Sequence, residues 1–137
     1  MALIRATTSS SGGGSFVETD LCPSGLDPTA TSLGDTTVTL IDSIANYDYI
    51  KIEFRTQSSP STVYDVLFPV SLAQSASGTT NEPICALATY YNSYGFVRYC
   101  IFLSNTSLRF APTFYVNTTG TADGAKIVPL RVIGLKG

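Results

Sequence analysis

Histidine and tryptophan are absent from this chain of 137 residues, and charged side chains are scarce at 13%. Without histidine the chain cannot build a Ser-His-Asp or Cys-His nucleophile system, nor a histidine-ligated zinc or haem site. A net charge of −2 argues against the basic surface that nucleic-acid binding requires. We therefore expect no cofactor, no metal site and no nucleic-acid partner.

Long apolar runs are also missing. No run approaches the roughly 20 residues that a membrane-spanning helix needs. The start, Met1 to Arg5, is followed directly by Thr, Ser and Gly, where a secretory signal would have about 7–15 apolar residues. We expect neither a membrane partner nor a cleaved signal peptide.

Cysteine is limited to Cys22, Cys85 and Cys100, whose spacing matches no metal motif. At most one disulfide can form, and Cys85 with Cys100 is the pair to consider if their strands are neighbours. The alternative is three partly buried thiols, which suits a chain made in a reducing cytosol.

The residues that are present favour strands. Apolar residues make up 44% of the chain, and serine plus threonine number 34. Over 49–56, Ile50, Ile52 and Phe54 alternate with charged residues, which predicts a strand with one buried face. Further strands are predicted over 36–41, 63–72, 84–91, 96–103, 107–116 and 125–135. The sequence thus predicts an all-β fold, an antiparallel β-sandwich or jelly roll of about seven or eight strands.

Local signals refine this prediction. Asp42 and Ser43 are suited to cap a single helical turn in the connector 42–48. Asn92 to Gly95 predicts a hairpin between two strands. Pro69 predicts an edge or a bulge, and Pro112 predicts an interruption.

The N-terminal region differs from the rest. Residues 7–15 form a Thr/Ser/Gly linker, which separates the apolar tip Ala2, Leu3 and Ile4 from the body. The tip is either an attachment arm or a frayed terminus. We predict a flexible arm and loop over 1–35 and a β-sandwich domain over 36–137.

A binding surface is predicted at the hairpin tip, at Tyr90, Tyr91, Asn92 and Tyr94. Tyrosine offers flat amphipathic area at low entropic cost, which glycan-binding and protein-binding surfaces both use. The alternative is that these tyrosines are ordinary strand residues. The ten carboxylates show no pattern of a catalytic pair, so no catalytic residue is assigned.

Two predicted strands, 127–135 and 96–103, are apolar on both faces. Because the outward face of a two-layer sandwich should be polar, these faces need a cover. Another subunit is one cover, which predicts a homo-oligomer, and close packing of three or more chains would also suit the low charge. A third layer within the chain is the alternative.

The sequence resembles small structural proteins of tailed bacteriophages. The resemblance covers roughly 36–56 and 125–137, with Thr37-Val38-Thr39-Leu40, Asp42-Ser43-Ile44, Asn46-Tyr47-Asp48-Tyr49-Ile50-Lys51-Ile52 and the apolar ending Ile127 to Lys136. Similar endings occur in the tip domains of phage tail fibres. Fibre proteins usually have a long shaft, whereas the N-terminal region here is only about 35 residues.

This resemblance implies a virion component: a fibre, spike or capsid decoration subunit, assembled in the host cytoplasm, often as a homotrimer. Its N-terminal arm would contact other virion proteins, and its head would bind a bacterial surface glycan or protein. No enzymatic activity is implied. A carbohydrate-binding, lectin-like module is the alternative function, and a small hydrolase using a carboxylate pair is the third.

Overall fold

The computed structural model describes residues 3–6, 15–23, 26, 36–56, 59–76, 85–91, 94–116, 120 and 126–137. These ranges contain ten strands, one 3₁₀ turn and one short helix. In chain order they are β1 (Leu3–Ala6), β2 (Val17–Asp20), β3 (Thr36–Thr39), the 3₁₀ turn (Ile44–Asn46), β4 (Tyr49–Thr56), β5 (Ser59–Pro69), α1 (Val70–Ala76), β6 (Cys85–Tyr91), β7 (Tyr94–Ser104), β8 (Ser107–Phe110), β9 (Phe114–Tyr115) and β10 (Ile127–Lys136).

The strands form two antiparallel sheets. Sheet A has the order β1-β5-β4-β10-β2, and sheet B has the order β3-β8-β7-β6, with β9 also pairing with β7. Side chains from the two inner faces meet between the sheets, as in the contact of Phe68 with Phe102, whose ring centroids are 6.2 Å apart. The predicted all-β antiparallel sandwich is therefore confirmed.

The core follows from the alternation of the strands. The predicted inward residues of β4, Ile50, Ile52 and Phe54, are all buried in the main apolar cluster. Sheet B contributes alternate residues of β7, among them Cys100 and Phe102. Burial of one apolar face of each sheet against the other stabilises the sandwich. The prediction of a single buried face is wrong for β4, because Lys51 and Glu53 on its other face are buried as well.

One charged residue lies among these core positions. Arg98 is on the inner face of β7, is only 2% exposed, and donates from Nη1 to the carbonyl oxygen of Ile127 at 3.2 Å. A buried guanidinium needs such acceptors because its desolvation is costly. The hydrogen bond joins sheet B to the start of β10 in sheet A.

The local signals around the helical turn and the prolines agree with the structure in most respects. The Ser43 hydroxyl accepts from the Ala45 N–H at 3.2 Å and caps the 3₁₀ turn. Pro112 falls between β8 and β9. The strand predicted over 63–72 is wrong at both ends, because β5 begins at Ser59 and stops at Pro69, after which Val70 begins α1.

Segments of the predicted N-terminal arm are part of the sandwich. β1 pairs with β5 and β2 pairs with β10, at opposite edges of sheet A. Leu21, Cys22 and Leu26 are buried in the core cluster. The described parts of 1–35 therefore contribute two strands and three core residues to the fold, while residues 7–14 of the predicted linker lie outside the described ranges.

The apolar outward faces are covered within one chain at most described positions. Val128, Ile133 and Leu135 of β10, and Val97 and Ile101 of β7, are all buried without a partner chain, whereas Leu103 is exposed. The sequence left open whether another subunit or the chain itself covers these faces, and for these five residues the chain itself is the cover. Their burial removes the original reason for expecting another subunit, and the homo-oligomer stays a prediction.

Cys85 and Cys100 lie on neighbouring strands, which is the condition for the disulfide considered from the sequence. Cys85 on β6 is directly in register with Cys100 on β7. Cys100 and Cys22 are both buried in the core cluster, while the side chain of Cys85 lies outside the described part of the structure. Within the described ranges, no helix has the length and apolarity to cross a membrane.

Candidate functional site

An open cleft of about 460 Å³ lies where β4 begins and β5 ends. Its walls come from the residue before β2, the 3₁₀ turn, the start of β4 and the first turns of α1. The lining residues are Phe16, Ala45, Tyr47, Asp48, Tyr49, Pro69, Val70, Ser71 and Gln74. We call this feature the aromatic cleft.

Two rings present apolar area to solvent in the aromatic cleft. Phe16 is 42% exposed and Tyr49 is 36% exposed. Their ring centroids are 5.5 Å apart with an interplanar angle of 83°, an edge-to-face arrangement that holds each ring in place. Exposed Ser71 and Gln74 add a hydroxyl and an amide to the same cleft.

Asp48 ties three elements together at the floor of the aromatic cleft. Its N–H donates to the carbonyl oxygen of Leu135 at 2.8 Å, and its own carbonyl accepts from the Val70 N–H at 3.0 Å. Its carboxylate accepts from the Gly137 N–H at 2.8 Å and lies 3.8 Å from the Lys136 ammonium. Because β4, β10 and α1 are all held at this residue, the cleft is built on rigid backbone.

Tyr47 forms the wall next to Asp48. Its hydroxyl donates to Asp42 Oδ2 at 2.9 Å. This hydrogen bond, followed by those from Asn46 and from the Ser43 N–H, lowers the pKa of the Asp42 carboxyl below 3.8. Burial raises the pKa of the Tyr47 phenol above 10.0. Folding therefore favours a charged Asp42 and a neutral Tyr47.

The Tyr47 ring sits directly on the backbone of β10. A Cβ atom at Gly134 would lie 2.6 Å from Tyr47 Cδ1 and 2.7 Å from Cγ. Carbon atoms in contact are separated by about 3.5–4.0 Å, so only glycine leaves room for the ring at this position. Gly134 thus sets the position of this wall of the aromatic cleft.

The hairpin tip predicted from the sequence belongs to sheet B, away from the sheet that carries the aromatic cleft. The hairpin itself is confirmed, because Tyr91 on β6 is in register with Tyr94 on β7. Tyr94 is exposed, and its ring lies 5.5 Å from that of Tyr115. Tyr90 is in register with Gly95.

The binding surface at the hairpin tip stays a prediction. The side chains of Tyr90 and Tyr91 lie outside the described part of the structure. Asn92 lies outside the described residues. Tyr94 is therefore the one predicted hairpin residue whose exposed side chain the described structure places.

The predicted attachment tip lies at an edge of sheet A. Leu3 is in register with Leu67, and Ile4 with Val66, while Ala2 lies outside the described residues. A row of charged positions begins in this strand and crosses the sheet. The row consists of Arg5 on β1, Asp65 on β5, Glu53 on β4 and Arg131 on β10, each in register with the next.

The middle of this row is buried. Asp65 and Glu53 are both less than 9% exposed. Glu53 Oε1 lies 3.3 Å from Arg131 Nη1, and Glu53 Oε2 lies 3.9 Å from the Lys51 ammonium, which is 3.0 Å from Glu18. Adjacent carboxylates on one sheet face repel each other unless cations flank them. Arg131 and Lys51 supply this cationic environment on the Glu53 side of the pair.

The aromatic cleft was not predicted from the sequence. Its residues come from three separate segments of the sequence, and Phe16 and Gln74 are far apart along the chain. The polar-aromatic run from Asn46 to Tyr49 was the available signal, although alone it indicates only a connector. Within the described ranges, no three of the metal-binding residue types cluster closely enough to hold an ion.

Comparison with protein-family models, curated proteins and solved structures finds no match to this chain.

Proposed function

We propose that this chain is a non-enzymatic structural protein of a bacteriophage virion, a fibre, spike or capsid decoration subunit. It acts by assembling into a homo-oligomer, of which a trimer is the form implied by the resemblance, and by binding the host surface. The observation that carries the proposal is the N-terminal strand. β1 pairs antiparallel with β5 at the edge of sheet A, in register over Leu3–Ala6.

This arrangement supports an assembly role for physical reasons. An unpaired sheet edge exposes N–H and C=O groups that recruit another strand. A strand at the end of a Thr/Ser/Gly linker can occupy such an edge without rearrangement of the body. In this proposal, the N-terminal segment also makes the contacts to other virion proteins.

Mass in solution tests the assembly. Light scattering coupled to size exclusion should give about three times the 14.6 kDa chain mass. Deleting residues 2–6 should lower this mass, because it removes the N-terminal strand to which this proposal assigns assembly. Circular dichroism of the truncated chain serves as the folding control. A full-length protein that stays monomeric at every accessible concentration would refute assembly by this chain alone.

A carbohydrate-binding, lectin-like function is the second candidate, and the aromatic cleft favours it. The exposed rings of Phe16 and Tyr49 offer apolar faces, on which the C–H face of a sugar can stack. The Asp48 carboxylate and the Gln74 amide lie beside them as partners for sugar hydroxyls. An open site of this kind suits an exposed glycan better than a fully enclosed small molecule.

Two matched tyrosine variants test this candidate and locate the site. Tyr49 and Tyr94 are each exposed, and each has an aromatic neighbour at 5.5 Å. Binding to immobilised oligosaccharides should be lost in Tyr49→Ala and kept in Tyr94→Ala if the aromatic cleft is used. The reverse result would assign binding to the hairpin tip, and a wild-type protein with no saturable binding would exclude the lectin function.

A further inference from the structure

We infer that Glu18 is a positioning residue of the aromatic cleft, and that its ion pair with Lys51 holds the Phe16 wall in place beside Tyr49. This inference deepens the proposed carbohydrate function and rests on it, because it names what keeps the two rings of the cleft together. Three observations carry it: the path of the ion pair across β10, the burial of its cation and the place of β2 at the edge of sheet A.

The ion pair between Glu18 and Lys51 crosses the outer face of β10. Glu18 on β2 is in register with Leu135, and Lys51 on β4 is in register with Ile133. Because β10 lies between these two strands, the backbones of β2 and β4 are about 9–10 Å apart. The distance of 3.0 Å between Lys51 Nζ and Glu18 Oε1 therefore means that the two side chains meet above β10. Ile133 and Leu135 are both buried beneath this contact.

The ion pair runs beside the ring pair of the aromatic cleft. Phe16 lies two residues before Glu18, and Tyr49 lies two residues before Lys51. Side chains two residues apart in extended chain share a face, so both contacts connect the β2 side of the sheet to β4 across the same face of β10. The ring centroids of Phe16 and Tyr49 are 5.5 Å apart. Holding Glu18 over Lys51 thus holds the segment that carries Phe16.

The burial of Lys51 gives this ion pair more weight than a surface ion pair has. The Lys51 side chain is only 9% exposed, whereas that of Glu18 is 53% exposed. Exposed pairs contribute little, because water and salt screen both charges. A buried ammonium that loses its carboxylate instead keeps the cost of its desolvation. Glu53 Oε2 lies farther from the Lys51 ammonium, at 3.9 Å, so Glu18 is the nearer of the two carboxylates.

β2 depends on such contacts because of its place in the sheet. Among the described residues, β10 is its one neighbour in sheet A. An edge strand has a backbone ladder on one side only, and local opening is easiest in such elements. The ion pairs form a chain that begins and ends on β2, and its members in order are Glu18, Lys51, Glu53, Arg131 and Asp20. Side-chain contacts over β10 therefore supplement the ladder that holds the Phe16 segment.

Nuclear magnetic resonance of the full chain tests the positioning without any ligand. In Glu18→Gln, the nuclear Overhauser contacts between the Phe16 and Tyr49 rings should weaken. The amide protons of β2 should exchange with solvent about three- to tenfold faster, while those of β7 should keep their wild-type rates. Unchanged ring contacts and unchanged exchange in Glu18→Gln would overturn the inference.

Two controls separate positioning from a general loss of stability. The ring contact of Phe96 with Tyr115, at 5.1 Å in sheet B, should be the same in Glu18→Gln as in wild type. Lys136→Gln is the matched variant, because it neutralises an exposed residue that is in register with Val17 of β2 and leaves the Glu18 pair intact. It should keep both the ring contacts and the exchange rates of wild type. Equal effects of Lys136→Gln and Glu18→Gln would overturn the inference.

A double-mutant cycle assigns the effect to the ion pair. In a Lys51→Met background the ammonium is already absent, so Glu18→Gln should change neither the ring contacts nor the exchange rates further. Changes of the same size in both Lys51 backgrounds would overturn the role of the pair.

Oligosaccharide binding distinguishes this inference from the function on which it rests. Glu18→Gln should weaken binding about three- to tenfold, whereas Tyr49→Ala should abolish it. Weakened ring contacts in Glu18→Gln, together with a wild-type protein that binds no oligosaccharide, would support the positioning and exclude the carbohydrate function. Weakened binding in Glu18→Gln with wild-type ring contacts and exchange rates would overturn the positioning and leave the carbohydrate function standing.

Discussion

Replacing Gly134 with alanine is expected to destabilise the fold through a single contact. The added Cβ would meet the Tyr47 ring at 2.6, 2.7 and 2.8 Å, from Cδ1, Cγ and Cε1 respectively. The ring would have to move by about 1 Å to restore a normal carbon–carbon separation. Gly134 itself is buried in β10, between β4 and β2, so the backbone cannot simply shift away.

Tyr47 is also held by two hydrogen bonds. Its hydroxyl donates to Asp42 at 2.9 Å, and its backbone N–H donates to the carbonyl oxygen of Ile44 at 3.0 Å. Overpacking of this kind costs about 1–3 kcal/mol. For a domain of this size, that loss corresponds to a fall in the melting temperature of about 3–10 °C. Urea denaturation followed by circular dichroism would measure the free energy of unfolding.

A double-mutant cycle isolates the contact. In a Tyr47→Ala background the ring is gone, so Gly134→Ala should cost nothing or stabilise slightly, because alanine restricts the unfolded chain more than glycine does. Gly95→Ala is the matched control in another strand. Its Cβ would lie 3.3 Å from Cβ of Val116, an exposed residue that can give way. Equal costs of Gly134→Ala in both Tyr47 backgrounds would refute the reasoning.

Three further predictions concern the charged residues. Arg98→Ala should lower the free energy of unfolding by about 2–5 kcal/mol, since it leaves a cavity and removes the hydrogen bond to Ile127. Arg98→Met should cost less, because methionine fills most of the volume. Equal urea midpoints for the two variants would contradict this. Because the folded-state pKa of Asp42 is lowered, the stabilisation by its carboxylate is present above about pH 3.8 and is lost as the pH falls through the folded-state value. The melting temperatures of wild type and Asp42→Asn should therefore converge as the pH is lowered. A constant difference between the two at every pH would argue against this. Glu53→Gln should cost about 1–3 kcal/mol in urea denaturation, because it leaves the buried Lys51 ammonium and the half-exposed Arg131 guanidinium beside a neutral amide. A cost as small as that of an exposed substitution would count against this reasoning.

Much of the fold was predictable because strand patterns are local. Ile50, Ile52 and Phe54 alternate with charged residues, and the prediction that these three are buried assumes only that β4 packs against one other layer. The Ser43 cap and the break at Pro112 depend on a few adjacent residues. The end of β5 was predicted less well. Val70 continues the apolar alternation of the strand in the sequence, but it is the first residue of α1. Its N–H donates to the carbonyl oxygen of Asp48, which lies in a distant segment.

The candidate site was less predictable, because it depends on contacts between distant segments. Tyr94 was selected as a binding residue from local composition, and its exposure agrees with that hypothesis without testing it. Phe16 had no such signal, since nothing near it in the sequence places it beside Tyr49. The two apolar strands led to an expected subunit interface, whereas the single chain already buries Ile133 and Leu135.

The sequence by itself determined the all-β class, the inward face of β4, the helical turn and the hairpin. Each of these rests on side-chain periodicity or on the backbone preference of a few neighbouring residues. Only the tertiary structure decided that β1 and β2 lie at opposite edges of one sheet and that Gly134 accommodates the Tyr47 ring. The aromatic cleft and the charge row likewise exist only through strand register, which depends on which strands pair and is not encoded in any one segment.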